Sequence, residues 1–104
     1  MRADEHGQPM NRQLETFIRT YLHMEMAYRT GGYLRPTLFG FSEFYVLHVR
    51  EGLSQLLNSR SLSVEEYEGL SDIEFPGEDS LYEYLQSMYA YLFDDLPDQP
   101  MPPE

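Results

Sequence analysis

Apolar residues at helical spacing, separated by breaks that contain glycine and proline, are the feature that most limits what this 104-residue chain can fold into. No segment alternates polar and apolar residues as a half-buried strand would. The segments with helical spacing are residues 12–29, 42–59, 63–70 and 81–94. We therefore predict one all-α domain of about four helices over residues 11–96. Residues 1–10 and the proline-rich residues 97–104 are predicted to be flexible tails.

Polar residues that accept hydrogen bonds from free backbone N–H groups mark the predicted starts of these helices. Asn11 precedes the first helix and is a candidate N-cap. Ser63 with Glu66, and Ser80 with Glu83, have the spacing of a capping box. These pairs predict that the last two helices begin directly after Ser63 and Ser80.

Glycine and proline define the connection between the first two predicted helices. Residues 31–41, GGYLRPTLFGF, are predicted to form an irregular loop because they combine these residue types. Gly52 lies at the edge of the apolar stripe of the second helix. We expect it to allow a neighbouring helix to approach closely.

Charge is distributed unevenly along the chain. Residues 1–60 have a net charge of +1, whereas residues 61–104 carry twelve acidic residues and no basic one. Such a field attracts cationic partners and repels nucleic acid and anionic membranes. We therefore expect a basic protein as partner, with no nucleic acid and no membrane. No apolar run is long enough to span a membrane and the first residues lack a signal-peptide core, so we expect a cytoplasmic location.

The last predicted helix has an apolar and aromatic arc that is wider than docking on a small core requires. Any single tyrosine on it could cap the core with its hydroxyl in water. A whole flank of aromatic rings beside carboxylates, in a chain without lysine, is instead typical of a protein interface. The predicted partner-binding residues are Asp72, Glu74, Glu78, Asp79, Tyr82, Glu83, Tyr89 and Phe93.

One acidic residue lies within an apolar pattern. Glu25 falls at the centre of the apolar face of the first predicted helix, if that helix continues over residues 12–29. A buried carboxylate requires a partner, and Arg29 one turn later or a tyrosine hydroxyl is available. We predict that Glu25 is a buried acid that fixes helix packing.

Catalytic and metal-binding patterns are weak in this sequence. His6, His23 and His48 are predicted to be surface residues. Residues 23–26, HMEM, lack the second histidine of a zinc-protease motif, and residues 72–83 contain acids but not the full alternate-position register of a calcium loop. We expect no catalytic residue, no metal and no cofactor.

Residues 14–26, LETFIRTYLHMEM, resemble the opening signature of bacterial contact-dependent growth inhibition immunity proteins. That signature is an amphipathic helix with a Tyr-Phe-His-Gln-Asp-Trp-like stretch. Tyr21 and His23 match it and Glu25 keeps its acid, and the residues that differ are Leu22, Met24 and Met26. Later elements also follow a similar order: a helix ending in LSQLLNS, an acidic LSVEEYEGL segment, and an FPGEDSL loop before an aromatic helix.

The resemblance covers residues 14–92 and implies a function. It implies a small, mostly helical cytoplasmic protein that binds the toxic C-terminal domain of a cognate effector and blocks it. Such toxins are often nucleases, and an acidic inhibitor suits their basic, phosphate-binding clefts. The resemblance does not say which toxin is bound.

Two other non-enzymatic functions stay open. An acidic nucleic-acid mimic that inhibits a nuclease complex or a transcription factor would present the same surface, and an effector gene directly upstream would separate the two. A dimeric acidic secretion chaperone or adaptor would use the aromatic flank as its self-interface. Light scattering distinguishes that adaptor from the monomer that we expect.

Overall fold

Six helices are present in residues 10–103, which is the part of the chain that the computed structural model describes. They are α1 (Arg12–Tyr21), α2 (Met24–Ala27), α3 (Leu34–Phe39), α4 (Glu43–Ser59), α5 (Val64–Ser71) and α6 (Glu78–Phe93). No strand occurs in this range, which confirms the all-α prediction. Apart from Met10, which packs partly buried against the core, the predicted N-terminal tail lies outside the described residues.

The long helix α4 is at the centre of the packing. It contacts α1, α3 and α6, and α1 also packs against α5. Ser42 caps α4 by accepting a hydrogen bond from the N–H of Tyr45, and the helix starts where the sequence predicted. No helix within residues 10–103 has both the length and the apolar character needed to cross a membrane.

Gly52 allows α1 and α4 to approach closely, as predicted. A Cβ atom at this position would lie 2.7 Å from the Asn11 side-chain nitrogen and 2.9 Å from a methyl carbon of Leu14. The same Asn11 side chain donates to the carbonyl of His48 and accepts from the N–H of Leu14. The predicted N-cap of α1 therefore also ties α1 to α4.

The structure divides the first predicted helix, residues 12–29, into two helices, so the prediction of one continuous helix is wrong. α1 ends at Tyr21, and His23 takes an extended conformation and caps α2 through its side chain. The sequence also predicted that Gly31 and Gly32 end the first helix, but α2 already ends at Ala27. Histidine is not among the residues that normally mark a helix start as an N-cap. The apolar spacing across His23 therefore predicted one continuous helix.

The predicted loop 31–41 contains the short helix α3, so that prediction is wrong for Leu34–Phe39. Pro36 is the third residue of this helix, where its missing N–H would have had no partner within the helix. Leu34 and Leu38 are four residues apart and both are fully buried. Burial of one helical face therefore outweighs the breaking signals.

One of the two predicted capping boxes is present. Ser63 accepts from the N–H of Glu66 while the Glu66 carboxylate accepts from the N–H of Ser63. The second prediction is wrong, because α6 begins at Glu78 after an extended Gly77. Glu78 and Asp79 then occupy the first turn, where negative charge is favourable.

The proline-rich segment after α6 has no regular secondary structure, but it contacts the domain. Gln99 and Pro102 are buried, and the Tyr28 hydroxyl donates to the carbonyl of Pro103. Arg35 on α3 donates to the carbonyls of Tyr91 and Leu96, and so holds the end of α6 and the start of this segment. The structure thus places contacts in residues 97–103, where the sequence predicted a flexible tail.

Candidate protein-binding surfaces

Helices α4 and α6 run antiparallel, and the two ends of their contact have different chemistry. One groove, of about 660 Å³, lies between the end of α4 at Leu57 and Arg60 and the start of α6 at Asp79 and Glu83. A second, of about 530 Å³, lies between the start of α4 and Phe93 at the end of α6. We call the first region the acidic end and the second the aromatic end.

The acidic end consists of Asp72, Glu74, Glu78, Asp79 and Glu83 with Arg60, and all six side chains are exposed. The acids lie on the loop before α6 and on its first two turns. The structure groups Glu78, Asp79 and Glu83 around Arg60, whereas Asp72 and Glu74 lie on the preceding loop, where Asp72 contacts His23. Whether they bind a partner stays a prediction.

Arg60 is the countercharge in this group. Its guanidinium forms ion pairs with Glu78 at 3.1 Å and Asp79 at 2.9 Å, and the hydrogen bond to Asp79 raises the pKa of Arg60. Exposed pairs of this kind contribute little to stability, because water screens them. One arginine cannot neutralise five carboxylates, so the acidic end keeps a net negative charge.

Tyr82 is not the exposed anchor that the sequence predicted. It is only 6% exposed, and its hydroxyl donates to the carbonyl of Leu62 and accepts from the N–H of the same residue. Arg60 lies over its ring at 4.8 Å from the centroid. Tyr82 therefore fixes the α4–α5 connection onto α6, and its ring is not available to a partner.

Asp72 has a contact with the first half of the chain. Its carboxylate lies 2.8 Å from Nε2 of His23, and Nδ1 of His23 accepts from the N–H of Glu25. Because Nδ1 accepts, Nε2 carries the proton and donates to Asp72. Asp72 also ends α5 in the left-handed conformation, which aspartate tolerates better than most residues.

Glu25 is exposed, so the prediction of a buried structural acid is wrong. It lies in the first turn of α2, just after the break at His23. The break rotates the following residues away from the face on which a continuous helix would have placed them. The buried residue of α2 is Ala27 instead.

The aromatic end consists of Phe39, Phe41, Phe44, Leu47 and Phe93. The first four are between 39% and 60% exposed, and Phe93 is partly buried. Phe39 and Phe93 meet edge to face at 6.0 Å, and Phe41 packs on Tyr45 at 4.6 Å. Sequence reasoning found only Phe93 among these residues. The available signal was the run FGFSEF, in which apolar rings flank a helix N-cap.

Tyr89 and Arg50 lie beside the aromatic end. Tyr89 is partly buried against the core, and its hydroxyl accepts from Nε of Arg50 at 3.3 Å. The Arg50 guanidinium carbon lies 5.9 Å from the centroid of Phe93. The predicted site is therefore split, because Tyr89 and Phe93 belong with the aromatic end and the acids lie at the other end of α6.

Two phenols are buried beneath the acidic end. The hydroxyls of Tyr67 and Tyr84 are inaccessible and have no hydrogen-bond partner among residues 10–103. Burial raises the pKa of Tyr67 well above its ordinary value, with the nearby Tyr84 as a second cause. Burial also raises the pKa of Tyr84. The ring of Phe75 packs against both tyrosines.

No group of three or more metal-ligating side chains occurs in the described part of the chain. Comparison of the chain with family models, with curated proteins and with solved structures finds no match. The resemblance to contact-dependent growth inhibition immunity proteins therefore stays a prediction.

Proposed function

We propose that this protein is a non-enzymatic, stoichiometric inhibitor that holds a cationic protein domain on its acidic end. Together with the sequence resemblance, this favours an immunity protein whose partner is the toxin domain of a contact-dependent growth inhibition effector. A nuclease toxin fits best, because its phosphate-binding cleft would be basic.

The observation that supports this proposal is the grouping of exposed carboxylates on one end of the molecule. Glu78, Asp79 and Glu83 lie around Arg60, and the exposed Glu74 is on the loop that leads into them. Residues 61–104 contain no other cation that could offset them. A field of one sign raises the rate at which an oppositely charged protein associates, and lowers it for partners of like charge.

The framework beneath these acids is well fixed by contacts within the chain. Tyr82 links α6 to Leu62 through two hydrogen bonds, and Phe75 in the preceding loop is buried. Carboxylates carried on such a framework need little reordering when a partner binds. Occupancy of the toxin's active site or substrate groove, together with repulsion of its anionic substrate, would then block it.

The test begins with the gene directly upstream: if it encodes a large effector, the C-terminal domain of that effector is co-expressed with this protein, and the absence of such a gene would count against the proposal. We expect the two chains to copurify and the host to survive. Changing Glu74, Glu78 and Asp79 to Lys should abolish both the copurification and the survival of the host. The matched control changes Glu25, Glu51 and Asp98 to Lys, because these exposed acids lie outside the acidic end and give the same change in net charge.

Circular dichroism and thermal melting check that both triple variants are folded. Full protection by the folded acidic-end variant would refute the proposal, since no charge-based inhibition at this end could survive three reversals. Loss of protection in both triple variants would show that overall charge matters and the acidic end does not.

A further inference from the structure

The aromatic end exposes more apolar surface than its neighbours within the chain can cover. Phe39 is 50% exposed, Phe44 60% and Leu47 48%. With Phe41, these side chains leave roughly 300–400 Å² of apolar area in water, if an aromatic side chain has about 150–250 Å² in total. The largest apolar patch on a typical monomer is of about this size and is often functional.

Two opposite charges border this patch on α4. Glu43 and Arg50 are seven residues apart, which is two helical turns, so both project on the same side of α4. Both line the groove of the aromatic end, and Leu47 lies between them. Neither forms an ion pair with another residue in the range 10–103.

This arrangement is self-complementary. If a second α4 is laid antiparallel across the first, with a two-fold axis between Val46 and Leu47, Glu43 of each copy faces Arg50 of the other. The two charges lie about 5 Å along the helix from that axis. Because they are so close to it, the long side chains can pair over a range of crossing angles of the helices.

We propose that this chain forms a dimer, in place of the monomer expected from the sequence: a second copy covers the aromatic end through antiparallel packing of the two α4 helices. Leu47 of each copy enters the groove of the other, against Phe39 and Phe93. Two symmetric Glu43–Arg50 pairs fix the register. An interface that uses the same patch on both copies is the commonest arrangement of homodimers.

The charge of the molecule is compatible with this dimer. Arg60 is thirteen residues from Leu47, or about 20 Å along α4. Antiparallel packing directs the acidic ends of the two copies away from each other. Their separation of about 40 Å is several times the Debye length of about 8 Å at physiological salt, so their repulsion is screened. Both acidic ends also stay open for the cationic partner of the proposed function.

The test is sedimentation equilibrium of the isolated protein over a range of concentrations. We expect a monomer–dimer equilibrium in the parent protein. Leu47→Glu should give a monomer, and because Leu47 is half exposed the variant should still fold. If the parent is monomeric at every concentration, or if folded Leu47→Glu dimerises as the parent does, the proposal is wrong.

A charge-swap series tests the register separately. Glu43→Arg and Arg50→Glu should each raise the dimer dissociation constant about tenfold or more, because symmetry places two like-charge contacts in the interface. The double variant restores both pairs and should return to within about threefold of the parent. Glu51→Arg, on the same helix but outside the groove, is the matched control and should change the constant little.

A double variant that is as weak as the single ones would refute the antiparallel register. The series contains no toxin domain, so its outcome is independent of the proposed function. Conversely, Leu47→Glu should still bind and neutralise the toxin domain if the acidic end holds it. Failure of the dimer and failure of the inhibitor are therefore separate results.

Discussion

The two ends of the α4–α6 contact contain the same two kinds of side chain, aromatic rings and charges, but they use them in opposite ways. At the acidic end the ring of Tyr82 is buried and hydrogen-bonded within the chain, while the carboxylates are exposed. At the aromatic end the rings of Phe39 and Phe44 are exposed. The acidic end therefore offers a partner negative charge, and the aromatic end offers a partner apolar area.

This difference shows why a sequence pattern alone does not identify an interface. An aromatic residue beside acids has the same composition whether its ring faces water or the core. A side chain is available to a partner only if contacts within the chain do not already bury its ring and pair its polar atoms. Tyr82 satisfies its hydroxyl on Leu62, whereas Leu47 and Phe44 leave about half of their surface uncovered.

The largest expected effect comes from removing the buried ring. Tyr82→Ala should lower the free energy of unfolding by about 3–5 kcal/mol, because it leaves a cavity and frees the backbone of Leu62. Leu47→Ala should cost about 1 kcal/mol or less, because that side chain is half exposed. Urea unfolding at dilute protein concentration measures both. Equal losses would contradict the contrast between the two ends.

Much of the fold follows from local signals that the sequence carries plainly. Asn11, Ser42 and the Ser63–Glu66 pair mark helix starts at the predicted positions, and Gly52 marks the close contact of α1 with α4. These signals act over a few residues, or through the absence of a side chain. That is why they could be identified without the tertiary structure.

The corrections all depend on tertiary context. The break at His23 is stabilised by Asp72, forty-nine residues later, so no local pattern could reveal it. Burial of Leu34 and Leu38 against other elements forms α3 despite Pro36. The misplacement of Glu25 follows from the missed break.

The candidate site was only partly predictable for the same reason. Its acids could be found from charge alone, because a dense acidic segment has to remain in water. The division of its aromatic residues between core and surface depends on which rings find partners. That information is absent from the spacing along α6.

Alkaline pH should destabilise the region beneath the acidic end. The folded protein keeps Tyr67 and Tyr84 neutral because burial raises the pKa of both, whereas the unfolded chain ionises them from about pH 10. The stability that these residues contribute is complete below about pH 10 and is lost as the pH rises above it. In that range, ionisation of each tyrosine in the unfolded chain should lower the free energy of unfolding by about 1.4 kcal/mol per pH unit.

Replacement of both phenols by phenylalanine tests this explanation. The Tyr67→Phe, Tyr84→Phe protein should be about as stable as the parent at pH 7, or slightly more stable, because the lost hydroxyls have no hydrogen-bond partner in the described residues. Above about pH 10 its stability should fall less steeply. Denaturant unfolding at a series of pH values measures the slopes, and identical slopes would refute the assignment.

The smallest expected change in the free energy of unfolding is for substitution of Glu25, an acid that lies outside both ends. Glu25→Ala should change the free energy of unfolding by no more than about 0.5 kcal/mol, because Glu25 is exposed. It should also leave dimerisation unchanged. A loss of several kcal/mol would indicate that Glu25 is buried after all, and that the break between α1 and α2 is misplaced.

The most direct test of the central claim is the kinetics of binding to the toxin domain across salt concentrations, in three proteins: the parent, the Glu74, Glu78 and Asp79 to Lys variant, and Leu47→Glu. We predict that the acidic-end variant associates at least tenfold more slowly at low salt and loses most of its salt dependence. Leu47→Glu should match the parent in both respects. If instead the acidic-end variant binds like the parent while Leu47→Glu does not bind, the aromatic end is the partner surface and the account is wrong.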